Sequence, residues 1–451
     1  MNESVVYSRI TFGALLVAAG LSASGARAQT VSPSEPPPLT LKHAAELALE
    51  HAPQLAATRA ARDEGTYSAR IAADALHPSV WISTTPGYST GLPVVVAGSV
   101  PAYGAIEVRQ TIYDPWKKND ALQAEAREAE LQGALVSGCG ETVRSTVSAY
   151  ARAWTDERRA DAARKGLAAA EASLERTRAL FDAGRVTEIE VERARLQAAR
   201  EKQKLLNAES DRDLDGLELK RLTGWPASAP LRLTSDTEAA LLPADATDNL
   251  EVARSADPQL KSLGRQVEIL GKSASLSSKR WPVIEASVQY QRLPSYYSKY
   301  YNSFNENDFS VGISFAIPVW AGGRIDDTEA RSKASVLRAE AEQDARESDL
   351  EVAVRRAEAA VARADAEHSL SRRAQGIAEQ DLAAAEVLAR EGRGEASLVD
   401  EKEMQAADAD EDATKTALSA LEERVKLLSL RGELSRTVLG SEPPCAVLER
   451  R

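Results

Sequence analysis

The sequence predicts a mostly α-helical chain that also carries four β-strands in two hairpins. Two long stretches, 116–224 and 319–442, contain no proline and are rich in the helix-forming residues Ala, Glu, Arg, Lys, Gln and Leu. Before each stretch lie segments of about ten residues in which apolar and polar side chains alternate, as they do in strands. Aromatic residues make up only 5% of the 451 residues, so the helices are expected to pack through small side chains.

Residues 1–28 have the pattern of a secretory signal peptide. A polar start with Arg9 precedes a short apolar run at 11–21, and Ala26-Arg27-Ala28 forms a cleavage pattern. The apolar run is too short to span a bilayer. We therefore expect the rest of the chain to be exported, and its net charge of −12 does not favour nucleic-acid binding.

The two halves of the chain repeat one order of motifs. The run A-P-Q-L at 52–55 corresponds to D-P-Q-L at 257–260, and each lies between two short helices that lead into alternating segments. A long proline-free stretch then follows in both halves. The expected segments are a signal peptide at 1–28, a Pro-rich linker at 29–39, repeat 1 at 40–240, repeat 2 at 241–442 and a tail at 443–451. In repeat 1 the β-hairpin is predicted at about 79–113 and the long helical hairpin at about 117–223; in repeat 2 they are predicted at about 283–318 and 322–438.

The alternating segments have the length and pattern of membrane β-strands. In 283–292, for example, apolar residues beginning at Ile284 alternate with polar residues beginning at Glu285. Four tryptophans lie near the junctions of strands and helices, where an aromatic girdle is expected; they are Trp81, Trp116, Trp281 and Trp320. The alternative is a soluble sheet with one apolar face. Four strands cannot close a membrane barrel, so the membrane interpretation requires several copies, and three copies would give twelve strands.

Each long helical stretch is interrupted once by the pattern G-x-x-[ST]-x-x-[DE]. In the first, Gly184 is expected to end one helix, Thr187 to cap the next, and Glu190 to complete a capping box. In the second, Gly394, Ser397 and Asp400 are predicted to have the same roles. Each stretch should therefore fold back on itself as a tight helical hairpin.

Two acidic residues near the second break have two possible interpretations. Asp400 and Glu403 are three residues apart and share one helix face. They are either a cap and a solvated charge or, if three copies meet on an axis, part of a ring of carboxylates at a pore entrance that favours cations.

Together these motifs resemble the TolC-like outer-membrane factor family over nearly all the chain that follows residue 28. The resemblance also includes Trp-Ala-Gly-Gly-Arg at 320–324. It implies a homotrimer in which long helical hairpins form a periplasmic tunnel and four β-strands per chain complete a 12-stranded membrane β-barrel in outer-membrane lipid. Such a trimer is a passive exit duct for a tripartite efflux pump or a type I secretion system.

The resemblance also implies partners and site residues. A periplasmic adaptor, itself bound to an inner-membrane transporter, would dock on the helical tips through Gly184, Thr187, Glu190, Gly394 and Ser397. Asp400 and Glu403 would form the acidic ring at the tunnel entrance. The alternative is a periplasmic adaptor or a helical spacer without a membrane barrel.

The sequence offers no motif for catalysis, for a cofactor or for a metal. The four histidines occur singly, and Cys139 and Cys445 have no zinc-ligand spacing. We therefore expect a protein that is not an enzyme. In an exported chain these two cysteines either stay free or form a disulfide, and their spacing leaves both possibilities open.

Overall fold

The computed structural model describes residues 38–85, 102–234, 248–277, 282–293, 305–317, 322–391, 393, 396–441 and 445. The signal peptide predicted at 1–28 lies outside the described residues, as do Trp281, Trp320 and Gly394. The elements of repeat 1 are α1 (Leu41–His51), α2 (Pro53–Asp74), β1 (Ser79–Thr85), β2 (Ala102–Tyr113), α3 (Pro115–Asp182) and α4 (Glu188–Thr223). Those of repeat 2 are α5 (Asn249–Ala256), α6 (Pro258–Ser277), β3 (Val283–Arg292), β4 (Asn307–Ala316), α7 (Arg324–Arg390), α8 (Ala396–Leu430) and α9 (Leu434–Leu439).

Proline and aspartate together fix the starts of α3 and α6. Proline is the first residue of both helices, where its fixed φ suits the helix and its missing N–H leaves no bond unmade. The preceding Asp114 accepts hydrogen bonds from the amides of Trp116 and Lys117 at 2.9 and 3.3 Å. Asp257 accepts one from the amide of Leu260 at 2.7 Å. The first turn of each helix is thereby satisfied.

The four strands form one antiparallel sheet in the order β1-β2-β3-β4. The pairing of β2 with β3 joins the two repeats, and the register aligns one valine from each strand in a single row: Val80, Val108, Val288 and Val311. The neighbouring row contains Ser79, Arg109, Ser287 and Gly312. One face of the sheet is therefore apolar and the other polar, as the alternation predicts.

Trp81 does not lie on the apolar face, so its predicted place in an aromatic girdle is wrong. It pairs with Glu107, which puts it on the polar face, and its indole N–H donates to the hydroxyl of Ser79 at 3.1 Å. The reason is parity, because Trp81 is one residue away from both Val80 and Ile82.

The helices continue the arrangement of the strands in a layer four elements wide. Next to the sheet, α2 packs on α3, α3 on α6, and α6 on α7; nearer the helical breaks, α4 packs on α3, α3 on α8, and α8 on α7. The 68 residues of α3 span about 100 Å at 1.5 Å per residue. Among the described helices, none is long and apolar enough to cross a membrane.

The largest buried core lies where the two repeats meet, around the middle of α3. Its members come from α1, α3, the end of α4, the end of α8 and α9. Tyr150 is fully buried there; its hydroxyl donates to the carbonyl of Leu39 at 2.7 Å and accepts from the amide of Thr234 at 2.9 Å. This side chain ties the segments before α1 and after α4 to the core.

Cys139 and Cys445 form a disulfide in this core, which decides the question that their spacing left open. Their Cα atoms are 6.5 Å apart, and the bridge links α3 to a residue 306 positions later in the chain. Both cysteines are buried. The segment that follows repeat 2 is thus covalently attached to the middle of α3 in repeat 1.

Candidate functional site

The first helical break has well-defined hydrogen bonding at both helix ends. Gly184 has φ of 70°, in the left-handed region that suits glycine, and its amide donates to Phe181 at 2.8 Å. The amide of Arg185 donates to Leu180 at 2.8 Å, which completes a Schellman motif. At the start of α4, the amide of Thr187 donates to the carboxylate of Glu190 at 2.7 Å. This tip, 184–187, is therefore a short, ordered turn with an exposed surface.

The end of α7 has a backbone hydrogen bond of the same kind as the end of α3. The amide of Arg393 donates to Leu388 at 2.9 Å, as that of Arg185 does to Leu180. Helix α7 ends at Arg390, and Glu391 is its cap. Gly394, the predicted helix-ending residue, lies outside the described residues.

Ser397, the predicted cap of the following helix, lies inside that helix, so this prediction is wrong. Because α8 begins at Ala396, Ser397 is its second residue and cannot be the residue that precedes the helix. Asp400 is consequently too far into the helix to complete a capping box with it.

Asp400 instead forms an ion pair between the repeats. Its side chain is only 7% exposed and pairs with Arg176 on α3. Glu403 is half-buried, and the described residues contain no ion pair for it. Within one chain, the charge of Asp400 is therefore balanced by a fixed cation.

The Arg176–Asp400 pair is one of a series along the boundary between repeats. Arg152 pairs with Glu422 at 2.6 Å, and Lys204 with Asp408 at 2.6 Å. The other members are Arg159 with Glu411 at 3.8 Å and Lys117 with Glu285 at 3.4 Å. In all five pairs the cation belongs to repeat 1 and the carboxylate to repeat 2. The boundary is therefore complementary in charge, which sequence analysis did not detect because the partners are distant in the chain.

The sequence patterns also did not reveal a buried carboxyl group in α3. Asp156 is 2% exposed and accepts a hydrogen bond from Arg159 at 2.8 Å. Burial, followed by the nearby carboxyl of Asp215 on α4, raises its pKa to about 6 against the opposing effect of Arg159. Since acidic residues are common along both hairpins, the sequence carries no local signal that singles this one out.

The described residues contain no group of three or more His, Cys, Asp or Glu side chains arranged to hold a metal ion. The described residues present instead a two-faced sheet, a wide helical layer and the exposed turn at 184–187.

The sequence of the first repeat matches a known family. Residues 44–225 match the model of the outer membrane efflux protein family. The resemblance to outer-membrane factors predicted from the motifs is thereby confirmed, and the family consists of transport proteins. No curated protein matches the sequence.

Solved structures of outer membrane channels share the fold. The Campylobacter jejuni CmeC outer membrane channel superposes with a TM-score of 0.71 at 12% identity, over 91% of this chain and 88% of that one. The Vibrio cholerae outer membrane protein VceC gives 0.66 at 16% identity, over 87% and 96%. The open state of the Neisseria gonorrhoeae MtrE outer membrane channel gives 0.69 at 14% identity, over 87% and 88%. The predicted fold class, with long helical hairpins joined to a four-stranded sheet, is confirmed.

Proposed function

We propose that this protein is the passive outer-membrane exit duct of a tripartite efflux pump or a type I secretion system. The observation that carries the proposal is the continuous four-wide layer. Helix α2 leads into β1, β2 into α3, α6 into β3 and β4 into α7. A wall of this kind can surround one continuous passage from a barrel into a helical tunnel.

The two faces of the sheet support a membrane location. Its apolar face leaves large side chains exposed in the isolated chain, including Phe309 and Phe315 at 67% and 69%. Such a surface is unfavourable in water and suits lipid. The opposite face carries hydroxyl, amide and charged groups that suit a water-filled lumen.

The edges of the layer support assembly with further copies of the chain. β1 and β4 are the outer strands of the sheet, and no substantial contact joins α4 to α7 within the described part of the chain. Both edge helices expose large apolar side chains, namely Leu196, Leu206, Leu214 and Leu217 on α4 and Leu337, Val352, Leu370 and Ile377 on α7. A strand edge in lipid needs a partner.

In a homotrimer each of these edges would have a partner from the next copy. The edge formed by β4 and α7 would meet the β1, α2 and α4 edge of the next copy, and such head-to-tail contacts close into a ring. With four strands from each copy, three copies give the twelve-stranded barrel in outer-membrane lipid.

The helical tips would provide the contact with a periplasmic adaptor, which in turn binds an inner-membrane transporter that supplies the energy. In this proposal the docking residues are Gly184, Thr187, Glu190, Gly394 and Ser397. The exposed, hydrogen-bonded turn at 184–187 supports this assignment, since it offers a preorganised surface. Asp400 and Glu403 would lie at the entrance of the tunnel, where Arg176 would neutralise part of the acidic ring.

Electron microscopy of the protein extracted from outer membranes with detergent tests the assembly. The duct predicts a tapered particle with threefold symmetry, in which helices of about 100 Å extend from a barrel. A monomeric particle from the soluble fraction would contradict the duct and favour an adaptor or a helical spacer.

Site-specific crosslinking to a co-expressed adaptor tests the docking surface. Gly184→Val should reduce both the crosslinking and efflux, because valine disfavours a φ of 70°. Gly376→Val is the matched control, since a Cβ at this helical position has open space around it. Equal crosslinking of the Gly184 variant and the control would contradict docking at this tip while leaving the duct itself unaffected.

A further inference from the structure

The buried carboxyl of Asp156 lies where α3, α4 and α8 meet and has incomplete hydrogen bonding. Its side chain is 3% exposed, and Oδ1 accepts from Nη1 of Arg159 at 2.8 Å. Oδ2 is buried and receives no hydrogen bond from a donor in the described part of the chain. A buried acceptor left in this state destabilises the fold.

The side chain of Asp215 on α4 faces Asp156 across the two antiparallel helices, because Arg159 contacts Asp211 at 3.5 Å and each of the two aspartates lies one turn beyond that contact. The carboxyl of Asp215 raises the pKa of Asp156. Two ionised carboxylates are both acceptors and repel each other. A hydrogen bond between them requires that one of the two carries a proton.

The surrounding charges favour binding of that proton. Arg159 of α3 also lies 3.5 Å from Asp211 on α4 and 3.8 Å from Glu411 on α8, and Lys415 of α8 lies 2.7 Å from Glu411. Four carboxyl groups thus face two cations, Arg159 and Lys415. Full ionisation would leave the cluster with excess negative charge at a helix junction.

We propose that Asp156 and Asp215 share one proton and act as a pH-sensitive clasp that fastens α3 to α4 within the first hairpin. Binding of the proton replaces repulsion between two carboxylates by a hydrogen bond. Acidification therefore tightens the first hairpin, and neutral or alkaline pH loosens it. The clasp is a property of the folded chain, so it does not depend on the proposed duct.

The direction of the pH effect follows from the pKa of Asp156. Its folded value of about 6 lies above the ordinary value near 3.9, so the folded state binds the proton more tightly than the unfolded state. The stabilisation is fully present below about pH 4 and is lost as the pH rises through about 6. The difference between the folded and the ordinary pKa of Asp156 limits the effect of pH to about a hundredfold in the equilibrium between closed and open forms.

The second hairpin provides an internal control. Ala364 of α7 lies as far before the helix end at Arg390 as Asp156 lies before the helix end at Asp182, and it is likewise buried. An alanine cannot hold a proton. The proposed response should therefore be confined to the first hairpin.

Hydrogen exchange on the purified full-length protein in detergent, measured by mass spectrometry between pH 5 and 8 with correction for intrinsic exchange, tests the clasp. Peptides around Asp156 and Asp215 should show more frequent opening as the pH rises, whereas peptides around Ala364 should not. Asp156→Asn should abolish the pH dependence and keep the segment closed at pH 8, because the amide donates the hydrogen bond without a proton from solvent. Asp215→Asn gives an independent second test if the first variant fails to fold.

Asp211→Asn is the matched control, since its carboxyl contacts Arg159 and is half-exposed. It should retain the pH dependence. Infrared spectra at pH 5.5 should contain the carbonyl band of a buried protonated acid in the wild type and in this control, but not in Asp156→Asn. An unchanged pH dependence in Asp156→Asn, or the presence of this band in its spectrum, would overturn the proposal.

Discussion

The two helical hairpins have nearly the same outline but different interiors. Helices α3 and α7 contain 68 and 67 residues, and α4 and α8 contain 36 and 35. When α3 and α7 are aligned at their ends, Thr142 matches Leu350, Thr146 matches Val354, and Asp156 matches Ala364; all six residues are buried. At these three buried positions repeat 1 has polar side chains, whereas repeat 2 has apolar ones. The two hairpins thus share the lengths of their helices but differ in chemistry at matched buried positions.

Removal of the covalent link between the halves should have the largest effect. Cys139→Ser combined with Cys445→Ser should lower the free energy of unfolding by about 2–5 kcal/mol, because the bridge spans 306 residues and restricts the unfolded chain. Urea unfolding in detergent measures this change, with reduced wild-type protein as the control. Equal midpoints for the oxidised wild type and the double variant would contradict the prediction.

The matched core positions should differ in their sensitivity to truncation. Leu350→Ala should cost about 2–5 kcal/mol, because it removes a fully buried side chain from the cluster with Val354. Thr142→Ala should cost only about 1 kcal/mol, since it removes chiefly the hydroxyl bond to the carbonyl of Gly138 at 2.8 Å. Comparison of the two urea midpoints tests the contrast, and equal losses would show that the interiors are energetically alike.

The ion pair between the tips should have an intermediate effect. Asp400→Ala should cost about 1–2 kcal/mol, because it removes a buried carboxylate but leaves Arg176 with access to water. Thermal unfolding measures the loss. Glu403→Ala is the control, and a cost for it as large as that of Asp400→Ala would argue against a special role for the pair.

The cap of the first tip should have the smallest effect. Glu190→Ala should destabilise the start of α4 by about 1 kcal/mol or less, because the amide of Thr187 loses its partner at 2.7 Å. Faster amide exchange at Thr187, with no change for Glu188→Ala, is the expected outcome. Unchanged exchange in both variants would indicate that water replaces the carboxylate without cost.

The sequence was sufficient to predict the elements whose signals are local. The alternation of apolar and polar residues predicted the faces of the strands, and the proline-free stretches predicted the helical hairpins. The predicted cap of α8 was wrong because the helix begins at Ala396, one residue before Ser397, and the spacing of the motif does not show this. The prediction for Trp81 was wrong because the face on which it lies depends on its parity within the strand rather than on its proximity to a helix.

Tertiary features were beyond the reach of sequence patterns. The burial of Asp156 depends on the packing of α3, α4 and α8, and the partner of Asp400 is Arg176, more than two hundred residues earlier. An isolated acidic residue on a charged helix has the same local context whether it is solvated or buried. Only the packing of the hairpins separates the two cases.

The disulfide also gives the chain an unusual topology. Because it joins Cys139 to Cys445, the backbone between them and the bridge form one closed ring that contains both helical tips. A protease that cuts once at either tip opens this ring but releases no fragment. Nicked protein should therefore migrate as a single full-mass species in a non-reducing gel and separate into two pieces only after reduction.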